Sequence, residues 1–384
     1  MSFNCYPLSE SLKITYGYCS FRYKHRIFVY GGCDEDSTDE YFKPPDIIHD
    51  LNLFTGIWTE HVIKENLALP NRRVYSLMVP HNDTAYLFCG FDSIEYRICD
   101  FRGLDLNTFE FKMLSKPPVS ERDKLEGWTY QNDIYFFGGY GPMPVNKDQS
   151  NSHSTHKPYQ EYYNFGWNND LVAYNTKTKS WFHPSIKGPL PSGRAAYGLV
   201  QFGHRIYFVC GRRMERRCSE IHILDLHEGE WSGEIQISGK SPVPEGRSWM
   251  ACCPVGDQYI YVQGGISNQD KALSDIWLFN INTHTWSEIL TQQVLAPRLA
   301  CRGHSGLNDN YVIVISGRRE DITVQVSDEA CNKDYLVWEL APRSLKLLSL
   351  RTLYHMLNKG SIQWTFLEKV LPLYLQTEYL ELIK

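Results

Sequence analysis

The sequence of 384 residues predicts an all-β fold, a β-propeller of six blades, and three repeating features support this prediction. The first feature is a short apolar run that ends in a pair of glycines or in a close variant of that pair. The pair recurs at intervals of roughly fifty residues, the length of one blade in propellers of the kelch type. The six pairs are Gly31-Gly32, Cys89-Gly90, Gly138-Gly139, Cys210-Gly211, Gly264-Gly265 and Ser316-Gly317.

The other two features keep the same phase relative to the glycine pairs. One is an arginine upstream of the pair, with a proline three residues before it, as at Arg73, Arg194 and Arg247. The other is an aromatic residue seven positions after an apolar or aromatic one, and five matches in phase are hard to obtain by chance. These matches run from Leu51 to Trp58, Leu104 to Phe111, Tyr174 to Trp181, Leu224 to Trp231 and Phe279 to Trp286.

Each repeat therefore contains four predicted strands: an inner strand, the glycine-ended strand, an outer strand and an edge strand that carries the aromatic residue. The runs 206–210 and 259–263 are rich in β-branched and aromatic residues, as half-buried strands require. We interpret the glycines as structural, because a residue without a Cβ atom allows backbones to approach closely near the central channel.

The propeller is predicted to span residues 1–341, with one departure from the repeat. A polar insert at about 141–166 separates Tyr140 from Trp167 and lengthens the third blade. A loop of this length is either functional, covering the rim of a pocket, or disordered. The residues alone leave both alternatives open.

Residues 342–384 predict a short α-helical tail, because the apolar residues change there from a period of two to helical spacing. The first predicted helix stops at Gly360. The tail either packs against the side of the propeller or presents an apolar docking surface to partners. Its apolar side holds Leu345, Leu348, Leu353, Met356 and Leu357, and a second apolar set, Trp364, Leu367, Val370 and Leu371, precedes Pro372.

Composition and charge exclude several classes of function. A net charge of −5 opposes a general surface for nucleic acid or anionic membrane. No stretch reaches eighteen apolar residues, and the N-terminal segment lacks the basic and apolar parts of a secretory signal. The eleven cysteines include no Cys-x-x-Cys pair, as expected of reduced thiols. We therefore expect a cytoplasmic and nuclear protein that binds neither nucleic acid nor membrane.

Sequence signals of catalysis are absent. The chain has no His-Glu-x-x-His motif, no Walker loop and no Gly-x-Ser-x-Gly motif, and its thirteen histidines show no metal-ligand spacing. We expect no catalytic residues, no metal and no cofactor. Because propellers also host oxidases and glycosidases, an enzyme remains the third alternative.

Two turns that follow glycine pairs are strongly basic, and such turns meet at one mouth of a propeller. They are 212–217, with four arginines, and Arg318-Arg319. A planar guanidinium group suits a carboxylate held by two hydrogen bonds, although a basic turn can also be merely solvated. We expect Arg213 and Arg216 in solvent. With Arg212 and Arg217, the predicted anion pocket contains Lys124, Tyr140, Trp167, Ser248 and Trp249, of which the two tryptophans are alternatively core residues.

Six segments resemble the small kelch domain-containing substrate receptors of Cullin-2 ubiquitin ligases, which recognise C-terminal glycine degrons. The resemblance covers nearly the whole chain and is strongest from blade three to blade five. It implies that Arg212, Arg217 and Ser248 bind the terminal carboxylate of a degron, and that Lys124, Tyr140, Trp167 and Trp249 complete the pocket. The segments are Asp123–Trp128, Phe136–Gly141, Gly166–Asn169, Arg194–Ala196, Gly246–Trp249 and Leu273–Asp275.

The tail is similar to the motifs by which that family binds its partners. Leu371-Pro372 resembles the cullin box that favours Cullin-2. The resemblance thus implies elongin B, elongin C, Cullin-2 and glycine-ending substrate proteins as partners. The residues that resemble an elongin-binding BC box are Ser344, Leu345, Leu348, Ser349 and Leu353, with Ser349 where cysteine is commoner.

Blades one, two and six depart from the family pattern. Cys89 and Ser316 replace glycines, and Arg298–Cys301 lacks the Trp-His that the family tends to show there. These departures leave open which residues are preferred upstream of the terminal glycines.

The sequence thus predicts a non-catalytic receptor that captures the C-terminus of a substrate for ubiquitination and proteasomal degradation. The alternative is a kelch scaffold that binds another protein through the same mouth without a ubiquitin-ligase role. Exposure of Leu345 and Leu371-Pro372 favours elongin docking, whereas a tail packed flat on the propeller favours the scaffold.

Overall fold

The computed structural model confirms a six-bladed β-propeller with a short C-terminal helical tail. It describes residues 2–8, 12, 16–33, 42–92, 94–143, 165–214, 216–291, 294–307, 311–320, 331–339 and 345–383.

Each blade contains an antiparallel four-stranded sheet, and the strands are given from the central channel outward. Blade one has Cys19–Tyr23, Arg26–Tyr30, Ile47–Asn52 and Trp58–Val62; blade two has Leu77–His81, Thr84–Asp92, Tyr96–Asp105 and Glu110–Met113. Blade three has Glu126–Tyr130, Asp133–Phe137, Leu171–Asn175 and Ser180–Phe182; blade four has Gly198–Phe202, Arg205–Val209, Ile221–Asp225 and Glu230–Glu234. Blade five has Ala251–Val255, Tyr259–Gln263, Ile276–Asn280 and Thr285–Glu288; blade six has Arg302–Ser305, Tyr311–Ile315, Asp334–Glu339 and Ser2–Pro7.

Short strands above the blades build one mouth of the propeller. Arg73–Val74 extends the sheet of blade two, and three small two-stranded sheets stand above blades three, four and five. These sheets pair Tyr140–Pro142 with Phe165–Trp167, Arg212–Arg213 with Arg216–Arg217, and Arg247–Ser248 with Ile266–Ser267.

The N-terminal strand closes the ring, a role that the sequence did not reveal. Ser2–Pro7 is the outermost strand of blade six and pairs antiparallel with Asp334–Glu339. The two ends of the propeller chain therefore share one sheet, and this pairing covers an edge that would otherwise be open.

The core lies between blades. Each of six buried apolar clusters joins two neighbouring blades, and the innermost strands of successive blades contact one another around the central channel. Phe88 of blade two, for example, stacks on Phe136 of blade three with ring centroids 4.1 Å apart. Stability of one blade therefore depends on burial against the next.

The two residues of the seven-residue aromatic spacing lie on the outer and edge strands of a blade, and they form a cross-strand pair. Leu224 lies directly opposite Trp231, and the other four matches pair in the same way. An Asx turn holds this register: the Asp225 carboxylate accepts hydrogen bonds from the backbone N–H groups of His227 and Glu228. The distance of seven residues is the same in all five blades because the turn between the outer strand and the edge strand has the same length in each.

The repeated arginines are structural. Arg247 is fully buried and donates to both carboxylate oxygens of Asp275 at 2.7 Å, and to the Gly264 carbonyl at 3.1 Å. Its own carbonyl accepts the N–H of Gly211 in the preceding blade at 2.8 Å. Corresponding guanidinium–carboxylate pairs join Arg73 to Asp100, Arg122 to Asp170, Arg194 to Glu220 and Arg298 to Asp334.

The glycine pairs provide the close approach that was predicted. Gly264 has φ +67°, and a Cβ atom there would lie 2.3 Å from the Arg298 carbonyl oxygen of the next blade. Cys89, Cys210 and Ser316, which replace the first glycine in three pairs, keep the same left-handed conformation. A side chain at such a position carries a conformational cost of about 1–3 kcal/mol.

The tail consists of three helices, α1 (Leu345–Asn358), α2 (Trp364–Val370) and α3 (Leu373–Ile383), and it docks between blades six and one. The propeller-facing side of α1 holds Leu350 and Tyr354, which were not predicted, together with Leu353 and Leu357 of the predicted apolar side. Tyr354 and the buried Tyr379 of α3 both pack edge-to-face against Phe54 of blade one. No helix in the described part of the chain is long and apolar enough to span a membrane.

Candidate functional site

A belt of backbone hydrogen bonds surrounds the mouth of the channel. One residue per blade, just before the innermost strand, adopts a left-handed conformation, with φ between 51° and 74°. In blades two to six, the N–H of this residue donates to the carbonyl of the equivalent residue in the preceding blade, at 2.6 to 3.1 Å. The five bonds link Gly17, Tyr75, Lys124, Ala196, Trp249 and Ala300 in that order. The belt holds Tyr75, Lys124 and Trp249 in a backbone conformation that residues with bulky side chains rarely adopt.

A cavity of about 240 Å³ lies against this belt, and six of the seven predicted pocket residues line it. These are Lys124, Tyr140, Trp167, Arg212, Ser248 and Trp249. The structure therefore brings together side chains from blades three, four and five that are far apart in sequence. Four further residues line the cavity without having been predicted, namely Tyr75, Arg97, Ala195 and Ala196.

Arg217, the seventh predicted residue, lies behind the cavity wall and contacts Ser248. Only 7% of Arg217 is exposed, and its Nε group donates to Ser248 Oγ at 3.1 Å. Its Nη1 group donates to the Ser267 carbonyl at 2.7 Å and lies 2.9 Å from the Asp270 carboxylate. Because Ser248 Oγ accepts this bond, the hydroxyl hydrogen of Ser248 remains available to a ligand in the cavity.

The pairing register of the basic hairpin determines which face each of its four arginines occupies. Arg212 lies opposite Arg217, and Arg213 lies opposite Arg216, so the two pairs occupy opposite faces. Two backbone hydrogen bonds of 2.9 Å between Arg212 and Ala195 fix this hairpin to the adjacent belt. The Arg212 guanidinium carbon lies 5.6 Å from the centroid of the Trp167 ring.

The expectation that Arg213 points to solvent is wrong, whereas Arg216 is 66% exposed as expected. Arg213 lies 2.7 Å from Glu220, which also contacts Arg194 and His222. The hydrogen bond from His222 and the charges of the two arginines lower the pKa of Glu220 to about 2. Glu220 therefore stays ionised, and its ion pair with Arg213 anchors the face of the hairpin that points away from the cavity.

Aromatic rings form the walls of the cavity. Tyr75 stacks on Trp249 at 6.3 Å between ring centroids, and Tyr140 lies 5.1 Å from Trp167. Lys124 Nζ is 4.6 Å from the Tyr75 ring centroid, a cation–π contact. Burial raises the pKa of Tyr75 well above its usual value, so this wall stays neutral. Of the two alternatives for the tryptophans, the structure favours cavity walls.

The charges around the cavity give an excess of positive charge. The buried Asp123 carboxylate lies 2.9 Å from Lys124 and 3.1 Å from Arg97, so one anion serves two cations. On the other side, Asp270 contacts Arg217, and Arg212 adds a further positive charge at the lining. This balance suits an anionic ligand, and the planar guanidinium of Arg212 suits a carboxylate.

The second basic turn does not line this cavity. Arg318 is buried, with its guanidinium 4.9 Å from the Tyr16 ring centroid, and Arg319 donates to the Asn332 side chain at 3.0 Å. Of the polar insert, residues 144–164 lie outside the described part of the chain. Its two ends belong to the cavity wall, where Tyr140 lies opposite Trp167. Both alternatives for the insert remain open.

The predicted docking residues belong to the helical tail. Ser344 lies outside the described residues, and Leu345 and Leu348 lie in the first turn of α1. Ser349 is exposed, whereas Leu353 is half-buried against the propeller. Between α2 and α3, Leu371 is half-buried and Pro372 is exposed, and the tail also exposes Phe366, Leu373 and Tyr374. The tail is thus docked on the propeller while part of its apolar surface stays accessible.

No group of three or more His, Cys, Asp or Glu side chains within the described ranges is arranged to hold a metal ion. The cavity lining consists of aromatic, basic and hydroxyl side chains with two alanines. The chemistry of such a lining suits an anion held by hydrogen bonds and charge.

Comparison with known proteins agrees with the fold and the repeat. The model of the KLHDC2/KLHL20/DRC7 Kelch-repeats domain matches residues 17–265 and 166–344. Kelch domain-containing protein 1 of Homo sapiens is 30% identical over 367 residues, covering 93% of this chain and 87% of that protein. Kelch domain-containing protein 2 of Bos taurus is 28% identical over 362 residues, covering 89% and 85% of the two chains.

Proposed function

The chain belongs to the KLHDC2/KLHL20/DRC7 kelch-repeat family, and we propose that it is a non-catalytic substrate receptor for proteins that end in glycine. In this proposal it presents them to a Cullin-2–elongin B/C ubiquitin ligase for ubiquitination and proteasomal degradation. The single observation that carries the proposal is the contact between Arg217 and Ser248 beside Arg212, at the wall of one cavity.

The terminal carboxylate of the substrate is bound by two charged or polarised donors. Arg212 offers a planar pair of N–H groups, and the Ser248 hydroxyl donates to the carboxylate while it accepts from Arg217. Arg217 thus acts through Ser248: its buried positive charge favours a negative charge on the far side of the hydroxyl. The excess positive charge of the wall offsets part of the cost of removing the carboxylate from water.

The walls account for a preference for glycine as the terminal residue. Trp167, Trp249 and Tyr75 are large, and they lie on elements held by the belt and by the basic hairpin. A terminal side chain would have to displace one of these rings, and a well-packed wall resists displacement. Specificity then results from exclusion of larger residues.

The tail is the proposed docking site for the ligase. We assign Ser344, Leu345, Leu348, Ser349 and Leu353 to elongin C and Leu371-Pro372 to Cullin-2. Exposed Pro372, Leu373 and Tyr374 leave apolar surface available to a partner. Docking of α1 and α3 on blades six and one would orient that partner relative to the cavity. A receptor of this kind works in the cytoplasm and nucleus, without nucleic acid, membrane, metal or cofactor.

A kelch scaffold without a ubiquitin-ligase role is the second candidate. The docking of the tail favours it, because Leu350 and Tyr379 are buried against the propeller as in an ordinary structural extension. The two candidates share the cavity and differ only in the partner of the tail.

Reconstitution separates these candidates. In a reaction with elongin B/C and the Cullin-2 RING complex, we expect ubiquitination of a substrate that ends in Gly-Gly. The same substrate with one lysine added after Gly-Gly should not be modified. Binding of the Gly-Gly end without any complex with elongin would favour the scaffold, and equal binding of both ends would contradict the receptor proposal.

A further inference from the structure

Arg97 lines the cavity from blade two, whereas Arg212 of the basic hairpin and Ser248 line it from blades four and five. It is the second residue of the strand Tyr96–Asp105 and lies opposite Phe91, next to the turn that joins these two paired strands. The Asp92 carboxylate accepts hydrogen bonds from the N–H groups of Ile94 at 2.7 Å and Glu95 at 3.0 Å, which holds this turn. Arg97 therefore stands on a rigid element rather than on a free loop.

Three aromatic rings hold the guanidinium group of Arg97. Its central carbon lies 5.0 Å from the centroid of the Tyr140 ring, 5.3 Å from that of Phe165 and 5.7 Å from that of Phe91. Stacking of this kind fixes the plane of a guanidinium group and reduces the entropy that it loses when it binds a ligand.

The hydrogen-bonding capacity of Arg97 is largely unused. Its Nε atom lies 3.1 Å from the Asp123 carboxylate, which also contacts Lys124 at 2.9 Å. Within the described ranges its Nη groups make no hydrogen bond to the protein. The Arg97 guanidinium group shares its counter-ion, Asp123, with Lys124. It is therefore able to bind an additional anion through its Nη groups.

We propose that Arg97 is a specificity-determining residue that favours an acidic side chain a few residues before the C-terminus of the bound protein. This inference rests on the proposed function. The terminal carboxylate is assigned to Arg212 and Ser248 in blades four and five, whereas Arg97 lines the cavity from blade two, so in this proposal it contacts an earlier part of the peptide. An extended peptide advances roughly 3.3–3.6 Å per residue, which places that part within a few positions of the end.

Peptides that end in Gly-Gly test the inference. Each carries Glu or Gln at one position, from the third to the sixth residue from the end, and affinities are measured by fluorescence polarisation. The proteins are the wild type, Arg97→Gln and the control Arg216→Gln, which removes an exposed arginine of the same mouth outside the cavity lining. Thermal unfolding checks that Arg97→Gln stays folded, which we expect because Asp123 keeps Lys124 as a partner.

We expect Glu to bind about threefold to tenfold more tightly than Gln at one of these positions in the wild type and in Arg216→Gln. In Arg97→Gln this advantage should disappear while the Gln peptides keep their affinity. Equal affinities for Glu and Gln at every position in the wild type would overturn the role of Arg97, and so would an advantage that persists in Arg97→Gln. Gln peptides that bind no better than their amidated forms would instead overturn the proposed function itself.

Discussion

Arg217 Nε lies 3.1 Å from Ser248 Oγ, and both residues are buried although they come from different blades. The hydroxyl oxygen accepts from a cation on one side, which leaves its hydrogen for an anion on the other. A serine beside a buried guanidinium group is therefore a stronger donor than an isolated serine.

The first prediction concerns Arg217. Replacement by Ala or Lys should weaken binding of a Gly-Gly-ended peptide by roughly 2–5 kcal/mol, because either change leaves Ser248 without its charged donor. Lysine cannot serve Ser248 and the Ser267 carbonyl together as the guanidinium does. Calorimetric titration measures the loss. Arg216→Ala is the matched control and should change binding by less than about 0.5 kcal/mol. Full affinity of Arg217→Lys would contradict the role given to the planar group.

The second prediction concerns the terminal residue of the ligand. A peptide that ends in Gly-Ala should bind more weakly than one that ends in Gly-Gly by about 1–3 kcal/mol, because the added methyl group overpacks the aromatic wall. Competition binding against a labelled Gly-Gly peptide measures this difference. Equal affinity for the two ends would show that the cavity is open at its base.

The third prediction concerns the tail. Leu345→Ala should abolish co-purification with elongin B/C while peptide binding survives, because the proposed partner buries Leu345. Leu350→Ala is the informative comparison: Leu350 packs on the propeller, so its loss should lower the free energy of unfolding by about 2–5 kcal/mol. Undiminished elongin binding by Leu345→Ala would show that the BC-box assignment is wrong.

The fourth prediction concerns acid stability. The folded state holds the pKa of Glu220 at about 2, below its ordinary value of 4.5, so ionised Glu220 stabilises the fold fully above pH 4.5. This contribution, on the order of 2 kcal/mol, is lost as the pH falls from 4.5 toward 2. Urea unfolding of wild type and Glu220→Gln across this range measures it. The variant should show a shallower loss of stability, and identical slopes would remove Glu220 from the acid response.

The repeat could be predicted from the sequence because every repeated residue corresponds to a repeated hydrogen bond or cross-strand pair. Leu224 and Trp231 are opposite each other across a turn of constant length, and Gly211 donates to the carbonyl of Arg247 in the next blade. These contacts are local, or recur once per blade, so their spacing is visible in the chain.

Contacts that occur only once were not predictable in this way. Arg97 of blade two contacts Asp123 next to blade three, and no repeated feature of the sequence places an arginine at that position of the blade. Ser2–Pro7 lacks a glycine pair, and its partner strand lies at the other end of the propeller. Tyr354 of α1 packs on Phe54 of blade one, a contact that no helical periodicity reveals.

Comparison of a free and an amidated C-terminus tests the central claim most directly. A Gly-Gly-ended peptide and its C-terminal amide differ only in the group assigned to Arg212 and Ser248. Fluorescence polarisation with the wild-type protein should show that amidation costs roughly 2–5 kcal/mol, since the amide carries no charge for the wall to bind. An amide that binds as tightly as the free acid would contradict carboxylate recognition in this cavity.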